Sequence, residues 1–528
     1  MDDQHIRLLD CTLRDGGHIN QGQFGEMTIK NTIANLVDAG IDIIEVGFLW
    51  DKEYGKDTSR YFTIADVKRI LPRDPKHSKF SLMADFINLD HLEPYDGTIE
   101  FIRLSFKRFR LDWGLETAKK LMDKGYKVFI NPVNCNVYSD KEYLEVLEKV
   151  NELHPYGFAI VDTFGVMRVS DLSHRYYLVE NNLLPDITIG LHLHENLGLA
   201  YSLGQHFAQI AKPTRKIVID CSLLGMGRVP GNLSTEKIVD FLNCQYGKEY
   251  ATEPIFDAID DYIAPIKEQH PWGYAIPYAL SAKYNLHRTY AEHLMGKQRL
   301  KIKDIQRILS QISSAEAEMF NEEYIESLYH SYMNVEYNDE HDIQGLKEAL
   351  FNYQEIVIVA PGPSLKNAEQ KIIEMKKSSS TCVISVNFSP NFVDSDYIFL
   401  TNTKRLDAIK DRTENCKLII TSNLLRDINY HNYAFSYNEF VYYNEKFCDD
   451  STLMLINILA KIGLNSISVA GFDGHNNGKL EFVDKLFANR ESAETNDNIV
   501  SEVLNNNMLG VKINFISPSK YNKIDGNG

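Results

Sequence analysis

The sequence predicts an α/β protein, an N-terminal (β/α)8 barrel with a helical extension followed by a second α/β domain, and three observations predict it. Strand-like and helix-like segments alternate at roughly 25 to 35 residues per repeat, and eight repeats fit into about 245 residues, as in a closed parallel barrel. Two apolar strands in that stretch run straight into ligand-type side chains, which in a barrel belong at C-terminal strand ends. After a polar, acidic stretch at 334–342 the α/β pattern starts again.

Taken in order, the barrel strands are expected at 6–11, 41–47, 80–86, 99–104, 127–131, 158–162, 188–194 and 216–221. Amphipathic helices are expected between them at 27–39, 114–124, 141–153, 172–181 and 200–211. The first strand enters LLDCTLRDGGH at 8–18, which crowds Arg14, Asp15 and His18 beside two glycines. The seventh enters GLHLHENLG at 190–198, where His192 and His194 stand two apart and share one side of an extended strand. Two imidazoles and the Asp15 carboxylate make a set that leaves positions open on a divalent ion. Oxygen and imidazole donors fit Mn²⁺ or Mg²⁺ better than a thiolate-rich zinc site.

A chain of 528 residues is too long for one core, and roughly two to four domains are expected. Hydrophobic residues at 44% and charged residues at 24% are an ordinary globular composition. The net charge of −17 argues against a large nucleic-acid footprint. Seven scattered cysteines without a C-x-x-C pair suit a reducing compartment. No signal-peptide core opens the chain and no apolar run reaches membrane-span length, so a cytoplasmic protein is expected.

Five ordered motifs carry a resemblance. They are D-C-T-L-R-D-G at 10–16, E-V-G-F at 45–48, D-T-F-G at 162–165, H-L-H-E-N-L-G at 192–198 and G-N-L at 231–233. With them, residues 1–245 resemble the metal-dependent pyruvate aldolase and lyase family of TIM barrels, which includes 4-hydroxy-2-oxovalerate aldolase, HMG-CoA lyase and isopropylmalate synthase. The resemblance implies Asp15, His192 and His194 as metal ligands, with Asn232 a further one in some members. R-D-G-G-H in place of the synthases' R-D-G-E-Q points to the aldolase branch, and His18 then falls on that branch's catalytic base. The glycine-rich loop at 225–232, GMGRVPGN, lacks the cysteine of the CoA lyases.

The chemistry implied is joining or breaking the bond between pyruvate and an aldehyde. A Schiff-base lysine is disfavoured, because FAIVDTF at 158–164 has none. Arg14 would hold the pyruvate oxygens and offset developing charge. His18 would exchange the proton of the 4-hydroxyl.

Residues 246–345 read as a helical extension, with helices at 254–267, 274–290, 302–313 and 322–333. W-G-Y-A-I-P-Y at 272–278 resembles the aldolases' post-barrel helices, where a tyrosine reaches back to the site. Tyr278 is the catalytic candidate and Tyr274 the alternative.

Residues 346–528 form the second domain, with strands expected in EIVIV, TCVISVNF, DYIFL, KLIITSN, FVYYNE and SISVAGFDG. G-P-S-L at 362–365, V-N-F at 386–388, F-L-T-N at 399–402 and V-A-G-F-D-G at 469–474 resemble bacterial sialyltransferases and related motility-glycosylation transferases, which implies a Rossmann-like fold. Gly362, Ser364, Asn387 and Asn402 are the candidate contacts to a nucleotide or nucleotide-sugar. The region 491–506 lacks that family's catalytic histidine, and His475 is the nearest one.

The sequence reading is therefore a carbon-carbon lyase, a class II pyruvate aldolase forming or cleaving a 4-hydroxy-2-keto acid, with a role in surface-sugar biosynthesis. Its expected partners are pyruvate, an aldehyde or keto acid, a nucleotide or nucleotide-sugar, and further copies of the same chain. Two other readings stand beside it: a Claisen-type synthase using an acyl-CoA, and an inert barrel serving as scaffold for a C-terminal transferase.

Overall fold

Two compact units, Met1–Arg288 and Thr289–Gly528, make up the computed structural model, which describes residues 5–85, 88–409, 416–444, 446–474 and 493–522. The helices expected as one extension divide between the two units.

The first unit is a closed parallel barrel of β1 (Ile6–Asp10), β2 (Ile43–Leu49), β3 (Lys79–Asp85), β4 (Phe101–Phe106), β5 (Lys127–Pro132), β6 (Gly157–Asp162), β7 (Thr188–Leu193) and β8 (Ile217–Cys221). Closure comes from β1, which pairs with β2 through Leu9↔Ile43 and with β8 through Leu8↔Ile219. The apolar stripes of the helices Glu26–Asp38, Leu111–Asp123, Asp140–Leu153, Val169–Asn182 and Ala200–Ile210 pack onto the outer strand faces and bury one continuous jacket.

Inside the barrel the two-residue period sorts side chains into layers. Leu9, Ile43, Phe101, Phe129 and Val218 form a buried apolar layer. Gly157 leaves room for Phe129, since a Cβ there would lie 2.3 Å from its ring. Two residues further along three of those strands stand Glu45, Arg103 and Asp220, all buried, so a charged layer sits directly on the apolar one, toward the C-terminal strand ends.

Between Glu45 and Phe48 the register of β2 against β3 shifts. Gly47 makes this possible with φ +150, in a place where a Cβ would come within 2.0 Å of the Ser59 carbonyl oxygen. The bulge lets both Glu45 and Phe48 reach Arg14.

The helix expected at 274–290 is broken. Ile276–Lys283 ends before Asn285, which takes φ +54, a left-handed conformation that asparagine tolerates and a helix does not. The next helix, Thr289–Gly296, opens the second unit.

The second unit carries a seven-stranded parallel sheet of β9 (Glu355–Val359), β10 (Thr381–Val386), β11 (Tyr397–Leu400), β12 (Lys417–Thr421), β13 (Tyr433–Phe435), β14 (Ser466–Ala470) and β15 (Lys512–Phe515). Their order is β13-β12-β11-β10-β9-β14-β15, so the chain reverses its direction of travel between β9 and β14. The strand expected in FVYYNE is not part of this sheet, for Tyr442–Asn444 pairs antiparallel with Lys446–Cys448. The edge is made instead by Tyr433–Phe435, a three-residue strand too short to show a period. Among the described residues no helix is long and apolar enough to cross a membrane.

Candidate metal and active site

At the C-terminal end of β1 the chain forms a helical turn, Thr12–Asp15, and then a tighter one, Gly16–His18. Asp10 anchors this corner by accepting from the Thr12 amide at 2.9 Å and from the Thr235 hydroxyl at 2.6 Å. The winding carries Arg14 and Asp15 inward, where both are buried, and leaves His18 at the rim with its side chain 35% exposed. The helical winding of this corner brings Asp15 to meet the histidines of strand seven.

Asp15, His192 and His194 converge as the sequence reading expects, with one donor atom from each lying within 4.8 Å of the others. His192 closes toward the interior on β7 and His194 follows its end, their rings 4.9 Å apart. His192 Nδ1 lies 2.9 Å from Asp220 Oδ2, and His194 Nδ1 lies 3.0 Å from the backbone oxygen of Asp162. A carbonyl oxygen only accepts, so Nδ1 of His194 is the protonated nitrogen and Nε2 keeps its lone pair. The Asp220 carboxylate imposes the same tautomer on His192.

Burial alone would push the Asp15 carboxyl up, but Arg14 and then both histidines hold it well below the usual carboxylate range. Burial pushes the His194 imidazole down to about 3, and His192 adds to the shift. An ionised oxygen donor beside a neutral nitrogen donor is the protonation state that a metal requires.

Asn232 joins the same cluster. Its Nδ2 donates to Asp15 Oδ2 at 2.6 Å, while its Oδ1 is buried and has no hydrogen-bond partner. A buried carbonyl oxygen left without a donor, beside a carboxylate and two Nε2 atoms, fits a divalent cation.

Below these side chains runs a buried chain of charge. Arg14 donates from Nε to Glu45 at 2.6 Å and from Nη1 to Asp15. Arg103 donates to Glu45 at 3.2 Å and to Asp220, which in turn holds His192. The sequence reading did not assign roles to Glu45, Arg103 or Asp220. The available signal was a lone charge inside each apolar strand, in IIEVGFL, FIRLSF and IVIDC, where an unpaired charge would be costly.

His18 sits at the rim, its Nε2 3.8 Å from Asp15 and its ring edge-on to Phe48 at 5.5 Å. Tyr278 is buried in the helix Ile276–Lys283. Tyr274, the alternative, is 59% exposed and lies against Gly198, in the loop that follows the two histidines.

In the second unit three of the four candidate contacts line a pocket of about 150 Å³ at the crevice where strand order reverses, Gly362, Asn387 and Asn402, together with Arg405 and Asp473 among others, while Ser364 is not in its lining. All four are already engaged, Gly362 through its amide, which donates to the Gly471 oxygen at 2.8 Å. Ser364 donates both its amide, at 2.7 Å, and its hydroxyl to Asp473, so the turn is closed by a carboxylate. Asn387 is spent on Thr401 and Ser451, and Asn402 caps the following helix by accepting from the Arg405 amide. His475 lies outside the described residues.

Comparison with known proteins places this geometry in company. Residues 114–258 match the family described as HMGL-like. The chain is 24% identical over 284 residues to a 4-hydroxy-2-oxovalerate aldolase of Geobacillus genomosp. 3, covering 49% of this chain and 80% of that protein. It is 26% identical over 343 residues to the enzyme of the same name from Thermomicrobium roseum, covering 60% of this chain and 89% of that one. The hydroxymethylglutaryl-CoA lyase structure from Pseudomonas aeruginosa superposes with a TM-score of 0.42 at 15% identity, over 56% of this chain and 98% of that one.

Proposed function

We propose that this chain, whose N-terminal barrel is of the HMGL-like aldolase and lyase family, is a divalent-metal-dependent pyruvate aldolase that joins pyruvate to an aldehyde or cleaves the 4-hydroxy-2-keto acid. The observation that carries this reading is the donor set itself. Asp15, two histidines held with Nε2 free, and the unpartnered Oδ1 of Asn232 converge at the C-terminal end of the barrel. The relatives' shared name supports the substrate class.

Asp15, His192, His194 and Asn232 would hold a divalent ion, Mn²⁺ or Mg²⁺, which would supply Lewis acidity toward the oxygens of a 2-keto acid. Arg14, fixed at Nε and Nη1, presents its remaining edge to the pyruvate carboxylate and offsets charge that develops on the keto oxygen. His18 takes the 4-hydroxyl proton as the C3–C4 bond breaks, and returns it to the aldehyde oxygen as that bond forms. Phe48 backs the His18 ring and orients it. A tyrosine of the post-barrel segment, Tyr278 or the rim residue Tyr274, completes the acceptor side.

Purified protein should consume pyruvate with an aldehyde panel, or release it from 4-hydroxy-2-keto acids, in Mn²⁺ or Mg²⁺ and not in EDTA. Pyruvate left untouched while metal binds would sink the aldolase and raise the Claisen reading, which a demand for acetyl-CoA would then reveal. The inert-scaffold reading is disfavoured by the intact donor set.

For the second unit the crevice between β9 and β14 supports a nucleotide or nucleotide-sugar ligand, since open parallel sheets bind ligands at such reversals. A surface-sugar role would follow from pairing that ligand with the aldol reaction. Titration calorimetry of the full chain with CMP, UDP and their sugar conjugates should give saturable heat. The absence of heat across that panel would remove both the ligand and the surface-sugar role.

A further inference from the structure

We propose that the acceptor joined to pyruvate is itself an anion, a carboxylated or phosphorylated aldehyde, gripped by Arg228 at the mouth of the barrel. This rests on the aldolase reading and names the substrate class that reading leaves open.

The loop after β8 is closed on itself by Asn232 N–H to the Gly225 oxygen at 3.0 Å and Gly231 N–H to the Arg228 oxygen at 2.9 Å. Gly227 lies flat on the Asn232 amide, where a Cβ would fall 2.4 Å from Nδ2. Residue 227 therefore carries no side chain, and Arg228 is the next position able to project. Its Nε is buried and has no hydrogen-bond partner. A guanidinium held this way lacks part of its solvation and awaits an acceptor.

The surrounding charges agree. Arg228 is close enough to His18, His194 and His287 for its charge to bear on all three. His287 packs edge-on to Phe164, in the loop after β6, at 5.9 Å. Burial pushes the His287 imidazole down to about 4, and the charges that act on it, Arg228, Arg288 and Lys107, are all cations. Lys107 directly follows β4, which places it at the same end of the barrel as the metal ligands.

Deeper in the site the charges are paired, Asp15, Glu45 and Asp220 facing Arg14 and Arg103. Arg228 stands outside these pairs, and the partner it fits is the second substrate. Carboxylate and phosphate both accept from a guanidinium fork.

Two matched pairs test this with pyruvate and Mn²⁺: succinate semialdehyde against pentanal, and glyceraldehyde 3-phosphate against glyceraldehyde. The wild type should prefer the charged member of at least one pair by about ten-fold or more in kcat/KM, as expected for a charge-assisted hydrogen bond, and the pair that responds identifies the anion. Arg228→Ala should bring that ratio close to one, and Arg228→Lys, which keeps charge and most of the volume, should retain part of it. Equal use of neutral acceptors, a preference that survives in Arg228→Ala, or an effect confined to the KM of pyruvate would overturn the proposal. Exchange of the pyruvate C3 protons in D₂O needs no acceptor. Exchange without acceptor preference overturns the anion proposal alone, whereas no exchange takes the aldolase reading down with it.

Discussion

Asp15→Asn should lower Mn²⁺ affinity at least about 100-fold, beyond the range of outer-shell changes, and cut pyruvate C3-proton exchange by about three orders of magnitude, as loss of several kcal/mol of Lewis-acid stabilisation implies. Asparagine keeps the shape and one oxygen but loses the charge. The cost should fall on metal binding and not on folding, because Arg14 keeps Glu45 at 2.6 Å when Asp15 is neutralised. Titration calorimetry with Mn²⁺ and proton exchange followed by NMR check both halves. Unchanged Mn²⁺ affinity would mean that the three converging side chains are not the metal site.

Arg103→Leu should have the largest effect on stability. Arg103 is 2% exposed and bridges Glu45 to Asp220 across the barrel. Removing it takes the guanidinium from Asp220, which keeps just the His192 imidazole, and one of two cations from Glu45, which keeps Arg14, a loss of about 3–5 kcal/mol, which for a unit of this size is on the order of 10 °C in Tm. Thermal unfolding of the full chain checks it. The partner change Asp220→Asn should act differently. It offers His192 Nδ1 an amide that can donate, releases the tautomer, and should weaken Mn²⁺ binding by about 10- to 100-fold. If Arg103→Leu melts like the wild type, the charged layer contributes nothing to the fold.

The barrel was legible because its evidence is periodic. Each strand buries both faces and reads as an apolar run, each helix shows one stripe, and their alternation specifies parallel pairing. The expected strand at 188–194 and the observed Thr188–Leu193 differ by one residue. The triad was legible for a local reason. His192 and His194 share a side of one strand, and Asp15 follows another strand's C-terminal end.

Where the expectations missed, the deciding feature left no period in the sequence. The break at Asn285 and the edge strand Tyr433–Phe435 depend on left-handed backbone and on a neighbouring strand, neither of which has a period to read. The G-P-S turn offers candidate nucleotide contacts in the sequence, yet Asp473, more than a hundred residues later, takes the Ser364 amide.

By itself the sequence determined the fold class, the eightfold repeat and the identity of three converging side chains, since these follow from side-chain period and from the rule that chemistry sits at strand ends. Only the tertiary structure decided which nitrogen of each histidine faces the cluster, that Glu45, Arg103 and Asp220 form one buried layer, and that the Arg228 Nε is buried without a partner. Those facts depend on which side chains from separate strands meet inside a closed barrel, and a hydrogen bond across β7 and β8 leaves no mark on either strand's pattern.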